Sequence, residues 1–352
     1  MRFSLFCFSD DGTKTGENKY QLLLESAKYA DAHGFHAIWT PERHFQDFGG
    51  LYPNPSVLSA ALAMITRRLH LRAGSVALPL HNPIRVAEEW SLVDNLSNGR
   101  VGVSFASGWH PNDFVLSPSN YENRREIMFA QIEVIRRLWA GEPSLFKGGN
   151  GSDVEVRVFP RPRQARLPVW ITSSGSRETW RRAGEIGANI LTGVRGDPAR
   201  ELASRIAQYR EDLARHGHDA EAAQVTVMLH TFIGEDLDKV RERVRNSLTG
   251  YLRTFVAQGD DLNLGELGVS GAKITEADKD ALAAFAFERF FNTGLLGTPD
   301  KCAQLVESLR EAGVDEIACL VDFGLDTGEV LDGLRHLNEL KERFAAKDGV
   351  AP

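Results

Sequence analysis

The sequence predicts an α/β chain closed into a single (β/α)8 TIM barrel, with insertions after its fourth helix and after its seventh strand. Three observations carry that expectation. Short β-rich runs alternate with longer helical ones from residue 2 onward, eight strands in all. The stretch Leu71 to His110 holds two continuous apolar runs, Leu71–Leu78 and Arg100–Ala106, joined by one amphipathic helix. A crossover of that length makes its strands parallel neighbours buried on both faces. No GxGxxG follows the first strand, which counts against a doubly wound open sheet.

The elements follow in order. Phe3–Phe8 reads as the first strand. The next helix, Asn18–His33, has Leu22, Leu23, Ala27 and Ala30 at helical spacing and Gly34 as its stop. Phe35–Thr40 is the second strand, Pro55–Thr66 the second helix and Leu71–Leu78 the third strand. A helix over Ile84–Leu96 closes at Asn98-Gly99, and Arg100–Ala106 is the fourth strand. The fourth helix spans Tyr121–Ala140. Gly141–Leu167, rich in Gly, Pro and Arg, reads as an excursion with a small hairpin around its alternating VEVRVF. Strand Val169–Thr172, helix Ser176–Ile186, strand Ala188–Thr192, helix Pro198–His216 and strand Val225–Ile233 resume the rhythm. It breaks again over about 259–297, where a polar Gly-rich stretch precedes a Phe- and Ala-rich helix, Glu276–Phe291. Thr298 as N-cap and Pro299 at the first helical position start another helix, ended by Gly313. Asp315–Val321 is the eighth strand and Gly328–Phe344 the last helix. Residues 1–345 form one domain, and 346–352 a tail.

Composition is ordinary for a globular chain, 42% hydrophobic and 25% charged, with a formal net charge of −7. That balance, with no Lys/Arg run, argues against nucleic acid as a partner. No apolar stretch approaches the roughly 20 residues that span a bilayer. Three cysteines without metal-like spacing read as buried free thiols. No basic, apolar leader follows Met1, so a cytoplasmic protein is expected.

Barrel chemistry collects at the carboxyl ends of the strands, and four features lie there. Glu42-Arg43-His44 ends the second strand. Alternation sends Glu42 and His44 one way and Arg43 the other, giving either a general acid/base pair or a structural salt-bridge cluster. Ser173-Ser174-Gly175-Ser176-Arg177 joins a strand to a helix and suits an anion, or is an ordinary Ser N-cap. Gly74-Ser75 interrupts a strand; a bulge, close approach of a flat ligand or a non-proline cis peptide would each explain it. His81, His110 and His230 are dispersed, and no metal site is expected from them.

Together WTPERHF at 39–45, GSVALPLHNPIRVAEEWSLVDNLSNGR at 74–100, FASGWHPNDF at 105–114 and the Ser-Gly-Ser turn at 173–176 resemble the bacterial luciferase-like flavin-dependent monooxygenases. The likeness is nearest to the branch associated with polyketide and nonribosomal peptide assembly lines. It implies a homodimeric barrel that binds FMN, reduced by a separate flavin reductase, and uses O2 as co-substrate. The substrate would be a small molecule or a carrier-protein-tethered acyl group in natural-product biosynthesis, with no membrane partner. By position, flavin phosphate would lie at Ser173, Ser174, Gly175, Ser176 and Arg177, with Thr192 nearby. The flavin ring would lie against Gly74 and Ser75, where the family carries a non-prolyl cis peptide, and beside Ala106 and Ser107.

Three departures stand out. Ala106 replaces luciferase's reactive cysteine. Ser107 replaces its phosphate-gripping arginine, leaving Arg177 or Arg195 as the cation. Arg43 falls where luciferase has its proposed base, so His44, with Glu42, is left as the imidazole for proton transfer. Two alternatives stay open: a deazaflavin (F420)-dependent hydride-transfer oxidoreductase, and a non-catalytic flavin-binding partner subunit. The Phe-rich helix, through Phe285, Phe287, Phe290 and Phe291, either walls an acyl pocket or packs on the barrel. The 259–297 excursion is long enough for a lid.

Overall fold

The computed structural model describes residues 1–8, 18–46, 49–108, 110–194, 198–258 and 276–347. The first half of the barrel is β1 (Arg2–Phe6), α1 (Gln21–Ala32), β2 (Ala37–Thr40), α2 (Pro55–Ile65), β3 (His70–Ala77), α3 (Pro83–Ser97), β4 (Val101–Ala106) and α4 (Arg124–Ala140). An antiparallel hairpin, β5 (Ser144–Lys147) and β6 (Asp153–Val156), forms the first excursion. The barrel resumes with β7 (Val169–Thr172), α5 (Arg177–Glu185), β8 (Asn189–Gly193), α6 (Pro198–Arg215) and β9 (Val225–Ile233). Then come α7 (Leu237–Gln258), α8 (Glu276–Thr293), β10 (Leu295–Gly297), α9 (Pro299–Glu311), β11 (Glu316–Leu320) and α10 (Thr327–Lys347).

Parallel pairing runs β9-β11-β1-β2-β3-β4-β7-β8 and closes by a β8–β9 pairing, so eight strands ring the axis. The strands read as unbroken apolar runs because helices cover them outside and side chains fill them inside. Local signals set the helix ends. Asn54 and Asn82 accept N-terminal amides of α2 and α3, and Asn98, in the left-handed region, ends α3. Thr298 and Pro299 start α9, as their pattern predicts. No described helix is long and apolar enough to cross a membrane.

One feature differs from the sequence reading. The second excursion contains β10, which pairs in parallel with the upper end of β9. Three residues give no periodicity, so the sequence did not reveal it. Of the excursion over about 259–297 expected as a possible lid, residues 259–275 lie outside the described residues.

Inside the lower barrel a charged group takes the place of an apolar layer. Arg72, 4% exposed, pairs with the fully buried Glu316 at 2.7 Å. Its guanidinium carbon lies 4.9 Å from the ring centre of Trp39 and 4.3 Å from that of Trp170. Ser4 Oγ and Trp39 Nε1 also donate to Glu316, at 2.5 and 3.1 Å. Burial pushes Glu316 up, but Arg72 and these donors outweigh it and hold the carboxyl below its ordinary value. Removing one partner of such a pair strands the other charge. Arg72→Ala is therefore expected to destabilise the fold by about 3–5 kcal/mol. Adding Glu316→Gln to Arg72→Met should cost less than the two single changes summed. Urea denaturation midpoints check both statements; an unshifted midpoint for Arg72→Ala would refute the first.

Candidate active site

Glu42 is the polar centre of the barrel mouth. It follows β2 by two residues, and its side chain is 1% exposed. Its Oε1 accepts from His44 Nε2 at 2.7 Å and from His81 Nε2 at 2.6 Å. Its Oε2 accepts from the backbone N–H of Ala77 at 2.8 Å. Burial pushes Glu42 up, but these donors and the charge of His81 outweigh it and hold the carboxyl below its ordinary value. For His81 burial pulls down, and the bond and charge of Glu42 outweigh it and raise the imidazole above 6.5. A carboxylate only accepts hydrogen bonds, so each imidazole must present N–H from Nε2. That leaves Nδ1 of His44 outside the bond to the carboxylate.

His81, read from the sequence only as one of three dispersed histidines, joins this cluster. His44 is not the only imidazole on this carboxylate, because the turn after β3 brings in a second from 39 residues away. Arg43 is buried, its guanidinium carbon 5.1 Å from the Phe8 ring centre. Burial lowers its pKa, against the pull of Tyr251 and Asp113.

A cavity of about 610 Å³ opens at the carboxyl ends of the strands. Glu42, Arg43, His44, Gly74, Ser75, Ala106 and Ser107 line it from β2, β3, β4 and the turns after them. Ser173, Ser174 and Thr192 line it from the turn between β7 and α5 and from β8, and Met228, His230, Tyr251, Leu252, Phe285 and Phe290 from β9, α7 and α8. Of the expected site residues, Gly175, Ser176 and Arg177 lie outside this lining.

The Gly74-Ser75 peptide is cis, and the pairing of β3 with β4 slips between Gly74 and Val76. Bulge and cis peptide therefore coincide. A Cβ at Gly74 would meet Phe6 at 2.8 Å and Trp39 at 3.2 Å, so the glycine answers to interior packing. Ser75 Oγ lies 2.5 Å from Thr172 Oγ1, which also bonds Ser104 Oγ at 2.6 Å. This hydroxyl chain ties β3, β4 and β7 together beneath the cavity.

At the anion-suited turn Ser176 is the N-cap of α5, its Oγ accepting from Thr179 N–H at 3.3 Å. Gly175 has φ +133°, and Arg177 is exposed. Thr192 Oγ1 donates to the Ser173 carbonyl at 2.8 Å. A cation that the sequence reading did not nominate stands beside the turn. Arg205 of α6 places Nη1 3.4 Å from the Cβ position of Gly175, and it makes no ion pair among the described residues. Arg195, the other expected cation, lies outside the described residues.

The Phe-rich helix divides by period. Phe285 and Phe290 line the cavity, whereas Phe287 and Phe291 stack 5.7 Å apart in the core. No metal-ligating cluster occurs among the described residues.

The sequence model of the luciferase-like monooxygenase family matches residues 1–316. The chain is 26% identical over 335 residues to an alkanal monooxygenase alpha chain from the Kryptophanaron alfredi symbiont, covering 89% of each. It is 23% identical over 355 residues to the oxygenase component of a flavin-dependent trigonelline monooxygenase from Acinetobacter baylyi, covering 98% of this chain and 96% of that one. The fold is similar to the oxygenating constituent of 3,6-diketocamphane monooxygenase from Pseudomonas putida, a type II Baeyer-Villiger monooxygenase solved in complex with FMN. That match has a TM-score of 0.74 at 19% identity over 96% of this chain and 97% of that one.

The shared carboxylate predicts a pH signature. With its folded pKa raised, His81 contributes stability that is full below 6.5 and lost as pH rises through the raised value. Glu42, lowered, contributes above 4.5 and loses it as pH falls through the lowered value. His81→Gln should cost about 1.5–3 kcal/mol at pH 6 and flatten the decline above pH 6.5. Thermal melts across pH 5–9 check this; an unaltered alkaline limb would exclude the His81 assignment.

Proposed function

This chain belongs to the luciferase-like monooxygenase family, and on that premise we propose that it is the oxygenase of a two-component, FMN-dependent system. It takes reduced FMN from a separate flavin reductase. With O2 as co-substrate, it inserts one oxygen atom into a hydrophobic or carrier-tethered acyl substrate. One observation carries this reading: a single cavity joins an anion-suited turn, a wall of small residues, and an imidazole–carboxylate cluster.

The residues fit a flavin mononucleotide. Ser173, Ser174 and Gly175 lead into α5, whose N-terminus favours negative charge, and Arg205 supplies the cation that Ser107 cannot. Gly74, Ser75, Ala106 and Ser107 leave one wall free of bulk for a flat ring. When bound, the reduced flavin supplies the electrons that split O2 between substrate and water. His44 moves a proton through Nδ1 at the cavity wall, while ionised Glu42 fixes the ring and His81 holds Glu42 in place. The apolar side chains of α7 and α8 exclude water. The name of the Acinetobacter baylyi relative, an oxygenase component, supports the reductase, and the FMN complex of the Pseudomonas putida protein supports the cofactor.

Anaerobic titration with reduced FMN tests the reading: the protein binds it, and Arg205→Met weakens binding about tenfold or more while riboflavin affinity is unchanged. Binding of a deazaflavin in place of FMN would move the chain to hydride transfer.

Homodimerisation has its own support. Val57 and Met64 on α2 and Leu92 and Leu96 on the adjacent α3 are large, apolar and exposed. Such a patch suits a self-complementary contact with a second copy. Sedimentation should show a dimer that Met64→Glu with Leu92→Glu converts to monomer.

A further inference from the structure

The wall of the cavity made by β9, α7 and α8 carries a polar group that the proposed reaction leaves without a task. In the ring of strands β9 stands four places from β3, so it faces Ser75 across the barrel. His230 of β9 is 4% exposed and lines the cavity. Its Nε2 has no hydrogen-bond partner among the described residues.

Rings surround it. Tyr251, Phe290 and Phe323 have their centres 4.8, 5.0 and 5.9 Å away, at 82°, 83° and 67° to the imidazole. Burial alone holds His230 down to about 3, so the imidazole is neutral and can both donate and accept. A buried polar group without a partner is costly, and native structures rarely keep one without a use. An apolar aliphatic chain would leave it unpaired.

We propose that His230 anchors an uncharged oxygen of the substrate, a hydroxyl or a carbonyl. That oxygen is borne on a compact aromatic or alicyclic body resting on Met228, Leu252, Phe285 and Phe290. The inference rests on the monooxygenase reading in one respect, that the anchored molecule is the oxygen acceptor. Position then follows from the barrel. The body lies between His230 and the small-residue wall of Gly74, Ser75 and Ala106, where the flat cofactor fits.

Fluorescence titration of the flavin-free protein with 2-naphthol, 2-acetylnaphthalene and naphthalene tests the anchor. At least one oxygenated probe should bind about tenfold or more tightly than naphthalene. His230→Phe should erase that margin and leave naphthalene affinity in place, while His230→Gln, which keeps a donor and an acceptor, should retain most of it. A margin for 2-naphthol alone identifies a hydroxyl partner, and one for 2-acetylnaphthalene alone a carbonyl. Equal affinity for all three probes in the native protein, or a margin that survives His230→Phe, overturns the proposal. If His230→Phe fails to fold, the native comparison and His230→Gln still decide. Reduced-FMN binding, measured separately, should be unchanged in His230→Gln. A native protein that holds 2-naphthol through His230 but never binds reduced FMN keeps the anchor and loses the monooxygenase reading. The opposite pattern does the reverse.

Discussion

Arg72 is held between two indole rings and a carboxylate in the middle of the barrel, and five strands meet on that one ion pair. Trp39 comes from β2, Trp170 from β7, Glu316 from β11, and Ser4 of β1 donates to the same carboxylate. On β4 a glycine, Gly102, makes room: a Cβ there would meet Trp170 at 2.8 Å. Desolvating two charges is expensive, so the layer holds only with its partners complete. It therefore fixes which residues of each strand point inward. Two residues above Arg72 on the same face comes Gly74, beneath Phe6, and the cavity begins there. The ion pair thus sets the height at which the chemistry starts.

Above that layer the polar wall is made rigid by short bonds between neighbouring strands and turns rather than by bulk. Ser75, Thr172 and Ser104 form a hydroxyl chain across three strands. Glu42 is fastened to the turn after β3 twice, through His81 and the Ala77 amide. A carboxylate so held has no freedom to rotate, and His44, bonded to it, inherits that order. Binding geometry is thereby prepared before any ligand arrives, which is where enzymes gain most from electrostatics.

The barrel strands were legible because parallel strands covered on both sides must be apolar throughout, and Val169–Thr172 and Val225–Ile233 run over the residues that this pattern marks. Ser173, Ser174 and Thr192 were legible as a strand-end turn and its neighbour. What stayed hidden depends on contacts distant in sequence. The pairing of Arg72 with Glu316 went unread because it spans 244 residues of sequence. His81 looked like a dispersed histidine because its partner Glu42 stands 39 residues earlier, just past the end of β2. Arg205 sits in an amphipathic helix whose arginines all look solvated, and only the packing of α6 beside the β7–α5 turn singles it out. Gly74 was visible, but its reason was not, since the Phe6 ring that forbids a side chain lies on another strand.

The two walls of the cavity differ in origin, and that difference bears on what each can specify. The polar wall stands on strand ends and short turns of the closed ring, where register leaves little latitude. The apolar wall, Leu252, Phe285 and Phe290, stands largely on α7 and α8, which interrupt the strand–helix rhythm between β9 and β11. Helix period splits α8, sending Phe287 and Phe291 to the core and Phe285 and Phe290 to the cavity. The helix can thus keep its seat while its cavity face varies. His230 is the exception, a polar residue of the ring that looks into the apolar wall. It gives that wall a fixed point of direction: the helices decide what shape is admitted, and the strand decides which way round it lies.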